Sequence, residues 1–576
     1  MVHFGTQKAT GANLRSVLLL IIPPIVLAGT DLGHFGLLNG NEVLYAEIAR
    51  EMLDTGDFIV PRLNGVPYLE KPPLLYWAIS LAMQLFGSTE FAARLPSALS
   101  ALGLFGVVTW FGHRLGGLAL GLRAVYVLGT SLGFIMMART AMPDGMFTAL
   151  LLAALLAIHV STQTGSVSAR RMAFVALAMA FLTKGPVAPV LFLLILLASW
   201  LLAPPERRVP IRSSVADPVA WLLFLLVIAP WFIAVSVRVP EFLTHYIYDE
   251  HILRFLSRRE PHDYYEGTPL YYLPRIVLFF FPWLGFVILG AILKRRHVNS
   301  DTTGVARFLW ICCLVPLAFF SASGAKANYY IIVCIPPLAI LAAHYYEEGA
   351  ILTRRTWLAV AFSLTIFAVI AVLAIRVWLV KSGAATRAIP TTDGMGLLIV
   401  VVVLTLSIVA MLLIQVRQLR TAAYLLGLFC VPVHLGLLHI AAHNEPYIST
   451  KQVAQIIRER FASYPVYLYG DFEALGGVPF YLGKTVPVID SSSSDLRFGR
   501  MLDPTSDRFA AAEAVPRSGG PALVVVRGYR DSAFRQAMAG KKVDRVAQSG
   551  SYSVYLVSRL IAGMPTPGSG QPERAD

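Results

Sequence analysis

The main pattern in this sequence is an alternation of long apolar runs with short polar connections. Such runs approach the roughly 20 residues that a helix needs to cross the hydrocarbon core of a bilayer. The pattern predicts thirteen membrane-spanning helices, at residues 16–37, 92–113, 123–138, 143–162, 171–183, 186–203, 218–238, 270–292, 305–322, 328–346, 356–379, 394–415 and 421–441. A shorter apolar run at 74–87 predicts an interfacial helix. The fold class is therefore an all-α polytopic membrane protein.

Basic residues predict the orientation of these spans. With a cytoplasmic N-terminus, the short cytoplasmic connections are the ones that carry clustered Lys and Arg, as the positive-inside rule requires. They lie near 114–123, 170–171, 206–212, 294–297, 354–355 and 417–420. The same orientation places the loops 38–91 and 239–269, and everything after 441, on the extracytoplasmic side.

The chain after residue 441 has the composition of a small soluble domain. The segments PVYLYGDF, TVPVID, PALVVVRG and SYSVYLVSR read as short buried strands bounded by Gly, Pro and Asp. The segment QVAQIIRERF at 452–461 has helical spacing. We expect a transmembrane domain at 1–441, an extracytoplasmic α/β domain at 442–561 and a disordered tail at 562–576.

Composition agrees with a membrane protein and excludes other classes. Of the 576 residues 56% are hydrophobic and 14% are charged, with a formal net charge of +14. This charge lies in short loops without interleaved aromatic residues, so it indicates membrane orientation and not a nucleic-acid partner. The four cysteines lie in apolar runs and imply no disulfide framework. No A-x-A cleavage site follows the first apolar run, so we interpret it as a retained span.

The first external loop contains an acidic helix. Ala46, Ala49 and Met52 recur at helical spacing, which predicts an amphipathic interfacial helix over 42–54. Glu42, Glu47 and Glu51 fall on its other side, where they could form merely a solvated face.

Other charged residues near the ends of spans fall on the same predicted side. Charges next to membrane spans are costly and often mark function. The set comprises Glu70, Arg139, Asp144, Lys184, Asp249, His251, Arg254, His262 and Lys326. The simpler alternatives are a helix-dipole charge at Asp144, snorkelling at Lys184 and Lys326, and headgroup contact at Arg254, Arg258 and Arg259. Their convergence on one face favours a common extracytoplasmic pocket.

Motifs in family order make the chain resemble the GT-C glycosyltransferases, in particular the group of aminoarabinose transferases and dolichyl-phosphate-mannose protein mannosyltransferases. The motifs are YAEIAREM (45–52), GD…PRLNG (56–65), EKPPLLYW (70–77), ARLPSALSA (93–101), RTAMPDGMF (139–147), FLTKGPVA (181–188), EHILRF (250–255), the later His262, Lys326 with Tyr330, and CIPPLAIL (334–341). They cover about residues 40–345.

The resemblance implies transfer of a sugar from a polyprenyl phosphate, with a carboxylate near the acceptor hydroxyl and cations near the leaving phosphate. The family pattern in the first loop is an Asp-Glu pair whose Asp is the catalytic carboxylate, whereas this chain has Asn41-Glu42. An amide cannot take a proton. Three possibilities follow from this difference. Either Glu42 supplies the carboxylate, or Asp144 supplies it, or the activity is altered or lost. The intact remainder of the motifs argues against loss, and we expect Glu42 with support from Asp144.

The resemblance also implies substrate contacts. The expected donor phosphate ligands are Arg62, Lys71, Arg139, Lys184 and Lys326. The expected substrate contacts are Tyr45, His251, Arg254 and Tyr330. Glu70 and His262 match positions that can bind a divalent metal in family members, and their side chains suit zinc. Magnesium and manganese stay open, and two ligands alone require no cofactor.

We therefore expect a monomeric glycosyltransferase in a bacterial inner membrane, acting by inverting displacement on a lipid, glycan or protein acceptor. The alternative is a transporter or flippase, which would need polar residues at mid-membrane depth, internal repeats or paired broken spans. The sequence has no evident repeat, and its polar set clusters at one face. A sensor anchored by the spans is a third alternative, but it would need fewer of them.

Overall fold

We describe the protein from a computed structural model, which places residues 14–205, 215–260, 267–294, 303–348, 409, 419–516 and 520–559. Two compact units divide the chain: residues 1–63 with 67–445, and residues 64–66 with 446–576. The division falls at residue 446, close to the predicted 442, and residues 64–66 of the loop 38–91 group with the second unit. Four predicted features lie outside the described residues: spans 356–379 and 394–415, residues 261–266 with His262, and the tail 562–576.

The first unit is built almost entirely of helices. They are α1 Leu14–Gly29, α2 Asn41–Thr55, α3 Leu74–Phe86, α4 Glu90–Gly116, α5 Leu118–Gly129, α6 Leu132–Ala138, α7 Pro143–Thr164, α8 Val167–Lys184, α9 Val187–Leu201, α10 Pro218–Arg238, α11 Tyr272–Phe279, α12 Leu284–Lys294, α13 Thr303–Ala322, α14 Ile335–Glu348, α15 Leu419–Leu428 and α16 Cys430–His443. A π-helix covers Thr244–Leu253, and 3₁₀ helices cover Pro269–Tyr271 and Asn328–Cys334. Two short strands, β1 Arg62–Leu63 and β2 Val66–Pro67, pair in the first external loop.

Six helices among the described residues are long and apolar enough to cross a membrane, or eight if each of two bent pairs forms one span. This confirms a polytopic membrane protein, but it does not confirm the number thirteen. Predicted span 123–138 is the pair α5 and α6, bent by 78°, and predicted span 270–292 is a pair bent by 104°. The apolar run at 74–87 forms the short helix α3.

The apolar core of this unit lies between the long helices. Helix α7 packs on α8 and α4, and α5 packs on α4 and α14. Leu104, Val125, Leu155 and Phe174 are each at most 2% exposed in this core. In contrast, helix α10 presents large apolar side chains outward. A helix that is apolar on every side is typical of a membrane span.

The alternative that the acids of α2 form a solvated face does not hold in the structure. Every residue from Glu42 to Met52 is buried, and Glu47 has no exposed surface. Glu47 can be buried because it is paired with Arg50. Arg50 Nε and Nη2 donate to the two carboxylate oxygens of Glu47 over 2.7 and 2.6 Å. The bidentate pair neutralises a charge that hydropathy alone would place in water. Helix α2 is therefore an interior helix.

The second unit is an α/β domain. Its sheet has the order β5-β4-β3-β6-β8-β7, in which β3, β4, β5 and β6 are parallel and β8 and β7 are antiparallel. The strands are β3 Val466–Tyr469, β4 Val488–Ile489, β5 Phe509–Ala510, β6 Ala522–Arg527, β7 Lys541–Ser549 and β8 Tyr552–Arg559. The remaining helices are α17 Glu445–Ile448, α18 Lys451–Arg460, α19 Phe472–Leu475, α20 Gly477–Leu482, α21 Arg497–Leu502 and α22 Asp531–Ala537. Each predicted strand segment contains a strand, whereas β5 and β7 are not among the predicted ones.

Asn64 is the loop residue most closely tied into this second unit. It is fully buried, its Nδ2 donates to Val486 O, and its Oδ1 accepts from Val486 N, both over 2.8 Å. Its φ of 54° lies in the left-handed region, which Asn tolerates better than most residues.

We expect Asn64→Gly to destabilise the second unit, because it leaves both polar groups of Val486 unpaired without adding backbone strain. The cost is roughly 1–3 kcal/mol for each buried group. Chemical unfolding followed by proteolysis within 446–559 measures it. The control Asn64→Asp keeps the oxygen that accepts from Val486 N, so it should lose about half as much stability. Equal stability of Asn64→Gly and the parent chain would contradict the proposed role of Asn64 in holding Val486.

Candidate active site

A buried ion pair between two helix ends forms the centre of the candidate site. Asp144 lies in the first turn of α7 directly after Pro143, and Lys184 is the last residue of α8. Proline suits the first helical position, an acid suits the N-terminal end of the helix dipole and a lysine suits the C-terminal end. Lys184 Nζ donates to Asp144 Oδ1, with the two residues 8% and 2% exposed. Asp144 Oδ2 is buried and has no hydrogen-bond partner.

Aromatic rings enclose this ion pair. Lys184 Nζ lies 4.4 Å from the ring centroid of Tyr330 and 5.8 Å from that of Tyr329, so both rings attract the ammonium. Tyr329 also joins the first external loop, because Asn41 Nδ2 donates to its hydroxyl over 3.1 Å. Tyr45, one helical turn after Asn41, packs against Tyr76 at 5.8 Å between ring centroids. The Asn41, Tyr45 and Tyr330 predicted from the sequence therefore lie around Asp144 and Lys184.

A second ionic cluster joins the first external loop to the π-helix. Glu70 Oε1 accepts from Arg259 Nη2 over 2.9 Å, and its Oε2 lies 3.7 Å from Arg254 Nη1. Glu250 accepts from Arg254 over 3.0 Å and from Arg259 over 2.6 Å. Burial opposes ionisation of Glu70, but Arg259 and Arg254 hold its pKa below the ordinary value. The sequence analysis missed Glu250 and assigned Arg259 to headgroups, because nothing in a linear pattern identifies the carboxylate that each arginine meets.

Lys71 connects the two groups of charges. Its Nζ donates to Glu70 O over 3.2 Å. Burial, with repulsion from Arg254 and Lys184, lowers the pKa of Lys71 to about 8, against attraction from Glu70 and Glu250. Together these residues hold one more cation than carboxylate. A surplus of positive charge suits an anionic ligand.

His251 approaches the end of α8 because residue 185 is a glycine. A Cβ built on Gly185 would lie 1.9 Å from the Tyr246 hydroxyl and 3.1 Å from His251 Nε2, and the φ of 76° is itself unfavourable for other residues. His251 Nδ1 donates to Tyr246 O over 2.6 Å, and the ring also has a hydrogen bond with the backbone of Lys184. Burial lowers the pKa of His251 to about 4, so the ring stays neutral at physiological pH.

Glu42 lies close to this centre but all its acceptor positions are occupied. Its Oε1 accepts from Arg94 Nε and Ala141 N over 2.8 and 3.0 Å. Its Oε2 accepts from Leu38 N and Arg94 Nη2 over 2.8 and 2.9 Å. A carboxylate offers about four lone-pair positions, and all four are used here. Glu42 is thus held as a buried counter-ion of Arg94.

Three predicted phosphate ligands are placed differently. Lys326 is 3% exposed, and its Nζ donates to the carbonyls of Phe320, Ser321 and Ser323, so it caps the C-terminal end of α13. Arg139 faces a separate cavity, which is described below. Arg62 is half-buried in β1.

Metal binding stays a prediction. Within the described ranges, no group of three or more His, Cys, Asp and Glu side chains is placed to hold a metal ion. His262 is outside those ranges, and Glu70 is already paired with two arginines. A metal at Glu70 would have to displace or share these guanidinium groups.

Comparison with known proteins gives matches over parts of the chain and, for some relatives, over nearly all of it. A family model described as dolichyl-phosphate-mannose-protein mannosyltransferase matches residues 70–233. An undecaprenyl phosphate-alpha-4-amino-4-deoxy-L-arabinose arabinosyl transferase of Aeromonas salmonicida is 34% identical over 363 residues, which are 59% of this chain and 62% of that relative. A protein of the same name from Pectobacterium carotovorum is 30% identical over 580 residues, which are 96% of this chain and 99% of the relative.

A solved structure of a similar protein agrees with these sequence matches. The crystal structure of ArnT from Cupriavidus metallidurans bound to undecaprenyl phosphate has a TM-score of 0.76 at 25% identity, covering 96% of this chain and 99% of that one.

We expect Gly185→Ala to destabilise the first unit, because the new methyl group would collide with Tyr246 and His251. Overpacking of this kind costs about 1–3 kcal/mol. The matched control is Gly165→Ala, since Gly165 has a similar φ of 71° but no atom within 4 Å of an added Cβ. Thermal unfolding in one detergent should place Gly185→Ala clearly below the control, and equal midpoints would contradict the collision.

Proposed function

The chain belongs to the family of undecaprenyl phosphate-aminoarabinose arabinosyl transferases, which are GT-C glycosyltransferases, and from that premise we propose that it transfers 4-amino-4-deoxy-L-arabinose from undecaprenyl phosphate. The full-length relative and the structural match support this assignment. They also favour transfer over the alternative of transport, since the relatives are named as transferases. The first relatives match over only 62% of their length, so the proposal rests on the longer match.

We further propose that the protein acts as a monomer in a bacterial inner membrane, with its site on the extracytoplasmic side. The alternation of basic connections along the chain supports this orientation. The acceptor is a lipid, glycan or protein that presents a hydroxyl group there. A soluble α/β unit on the same side would lie in the compartment of the acceptor.

The free oxygen of Asp144 is the observation that carries the chemistry. Asp144 Oδ2 is a buried carboxylate oxygen without a partner, and an unpaired buried acceptor is costly unless a ligand completes it. The oxygens of Glu42, by contrast, are saturated. We therefore assign the role of base to Asp144 and not to Glu42, and Asn41 to positioning through Tyr329.

The reaction is a single displacement. The acceptor hydroxyl donates its hydrogen bond to Asp144 Oδ2, and its oxygen attacks the anomeric carbon from the side opposite the phosphate. The new glycosidic C–O bond forms as the C–O bond to phosphate breaks, and that electron pair leaves with undecaprenyl phosphate. The acceptor proton passes to Asp144. The product has the inverted configuration, and no sugar-enzyme adduct forms.

The leaving phosphate is stabilised by the surplus cations. Lys71, Lys184 and Arg254 are the candidates, because they act electrostatically on one another around the same group of residues. Donors fixed before the reaction stabilise developing charge without reorganisation. Glu70 and Glu250 orient Arg254 and Arg259. The proposal therefore keeps Lys71 and Lys184 as phosphate ligands and adds Arg254.

The Asp144→Asn variant tests the assignment of the base. We expect about 10²–10⁴-fold lower kcat per folded molecule, because general base catalysis typically contributes this much. Some loss of stability should accompany it, because the variant leaves Lys184 buried without its counter-charge. Glu42→Gln should mainly lower stability, by about 3–5 kcal/mol, since it leaves Arg94 buried without its counter-charge. The assay follows labelled sugar from purified undecaprenyl phosphate-aminoarabinose in proteoliposomes, with NMR of the product linkage. Full activity of Asp144→Asn, or retention of anomeric configuration, would overturn the scheme.

The alkaline limb of the pH profile tests Lys71. Its folded pKa is about 8, so its charge is present below that pH and is lost as the pH rises through it. We expect kcat/KM for the donor to fall above pH 8, because this parameter reports groups of the free enzyme. In Lys71→Arg the fall should vanish, since a guanidinium stays charged. An unchanged limb in Lys71→Arg would assign the titration to another group.

A further inference from the structure

A small cavity is lined in part by the Glu42–Arg94 pair. Its volume is about 70 Å³, and it lies among the segment 31–38, the C-terminal end of α6 and helix α16. Arg139, Thr140 and His434 line it, together with apolar residues such as Leu437 and Leu438. Asp144 and Lys184 are not among its lining residues. We call it the Arg139–His434 cavity.

Two buried polar side chains face this cavity without adequate partners. His434 is 1% exposed, and neither ring nitrogen has a hydrogen-bond partner. Arg139 is 6% exposed, and its hydrogen bond is from Nη1 to Leu27 O over 2.8 Å. Within the described part of the chain, no carboxylate lies within 4 Å of this guanidinium. A buried charge without a counter-charge and a buried imidazole without a partner are both costly.

The acids that line the cavity do not compensate Arg139. The Asp31 side chain is 48% exposed and lies 3.5 Å from His34 Nδ1. Its attraction reaches Arg139 only at longer range. All four acceptor positions of Glu42 are taken by other groups. Among the residues that the structure describes, Arg139 therefore has no counter-ion of its own.

We propose that the Arg139–His434 cavity is a second anion subsite, which binds a phosphate group. A guanidinium can hold two phosphate oxygens at once, and an imidazole N–H and a threonine hydroxyl can complete the shell. Its volume of about 70 Å³ is roughly five times the 10–15 Å³ that one water needs, which leaves room for a group of the size of phosphate. Apolar residues beside the polar ones fit the phosphate of a lipid as well as free phosphate.

This subsite is distinct from the proposed donor phosphate position. The donor phosphate lies near Lys71, Lys184 and Arg254, whereas Glu42 and Arg94 form part of the cavity wall. The inference does not rest on the proposed reaction, because binding can be measured without turnover. It also changes the role of Arg139, which the motif analysis places at the donor phosphate.

The test uses the full chain in nanodiscs of phosphatidylcholine, with and without 10% phosphatidic acid, and inorganic phosphate in a separate arm. The readouts are the thermal unfolding midpoint and the lipid retained in native mass spectrometry. We expect phosphatidic acid to raise the midpoint and to be retained. Arg139→Gln should weaken retention about tenfold or more, since hydrogen bonds to charged groups are the strong ones. Arg139→Lys keeps the charge and should retain part of the binding.

Two further variants make the result specific. Arg114→Gln removes an exposed arginine at the end of α4 and should leave retention unchanged, which controls for general headgroup attraction. His434→Leu replaces an unpartnered imidazole with an apolar group, so it should fold while binding lipid more weakly. Stabilisation by inorganic phosphate that competes with the lipid would identify free phosphate as the ligand. No effect of either probe, or equal retention by Arg139→Gln and the parent chain, would overturn the subsite.

Discussion

The buried ion pair between Glu42 and Arg94 fixes the geometry on which the rest of the first unit depends. Besides binding Glu42, Arg94 donates to the carbonyls of Leu32, Phe35 and Gly36, and Glu42 accepts from the backbone N–H of Ala141. One pair of side chains therefore joins the end of the first span, the start of α2, helix α4 and the turn before α7. Because both charges are buried, removing either one leaves an uncompensated charge in the interior.

This constraint places the chemical groups. Asn41 precedes Glu42, and Asp144 follows Ala141 by three residues, so holding Glu42 against Ala141 brings Asn41 and Asp144 towards each other. Structural and chemical roles are thus divided between neighbouring acids. Glu42 uses all its lone pairs within the fold, whereas Asp144 accepts from Lys184 with one oxygen and has no hydrogen-bond partner at the other, which the proposed reaction uses. The amide at Asn41 is compatible with this division, since its interaction with Tyr329 needs a donor and no proton transfer.

Positive charge is distributed to suit phosphate at more than one place. Lys71, Lys184 and Arg254 are the cations of the proposed donor phosphate position, while Arg139 and His434 line a separate cavity together with Glu42 and Arg94. Lys326 is also a basic residue near the end of a predicted span, but its ammonium group donates to the last carbonyls of α13. Lysine and arginine near the end of a span can thus serve a ligand, a helix end or an internal counter-ion, and only their contacts distinguish these uses.

The sequence by itself determined the class of protein, the family and most of the helices. Hydrophobic run length is a local property, so span 218–238 is found where the pattern predicts it, and the motif set identifies the glycosyltransferase family that the full-length relative confirms. Only the tertiary structure decided which acids are buried and what each of them does. Helical spacing predicts water around Glu42, Glu47 and Glu51, but arginines within the fold meet Glu42 and Glu47 and make burial favourable. The partners of Glu70 and Glu42 lie 189 and 52 residues away along the chain, beyond the reach of any local pattern.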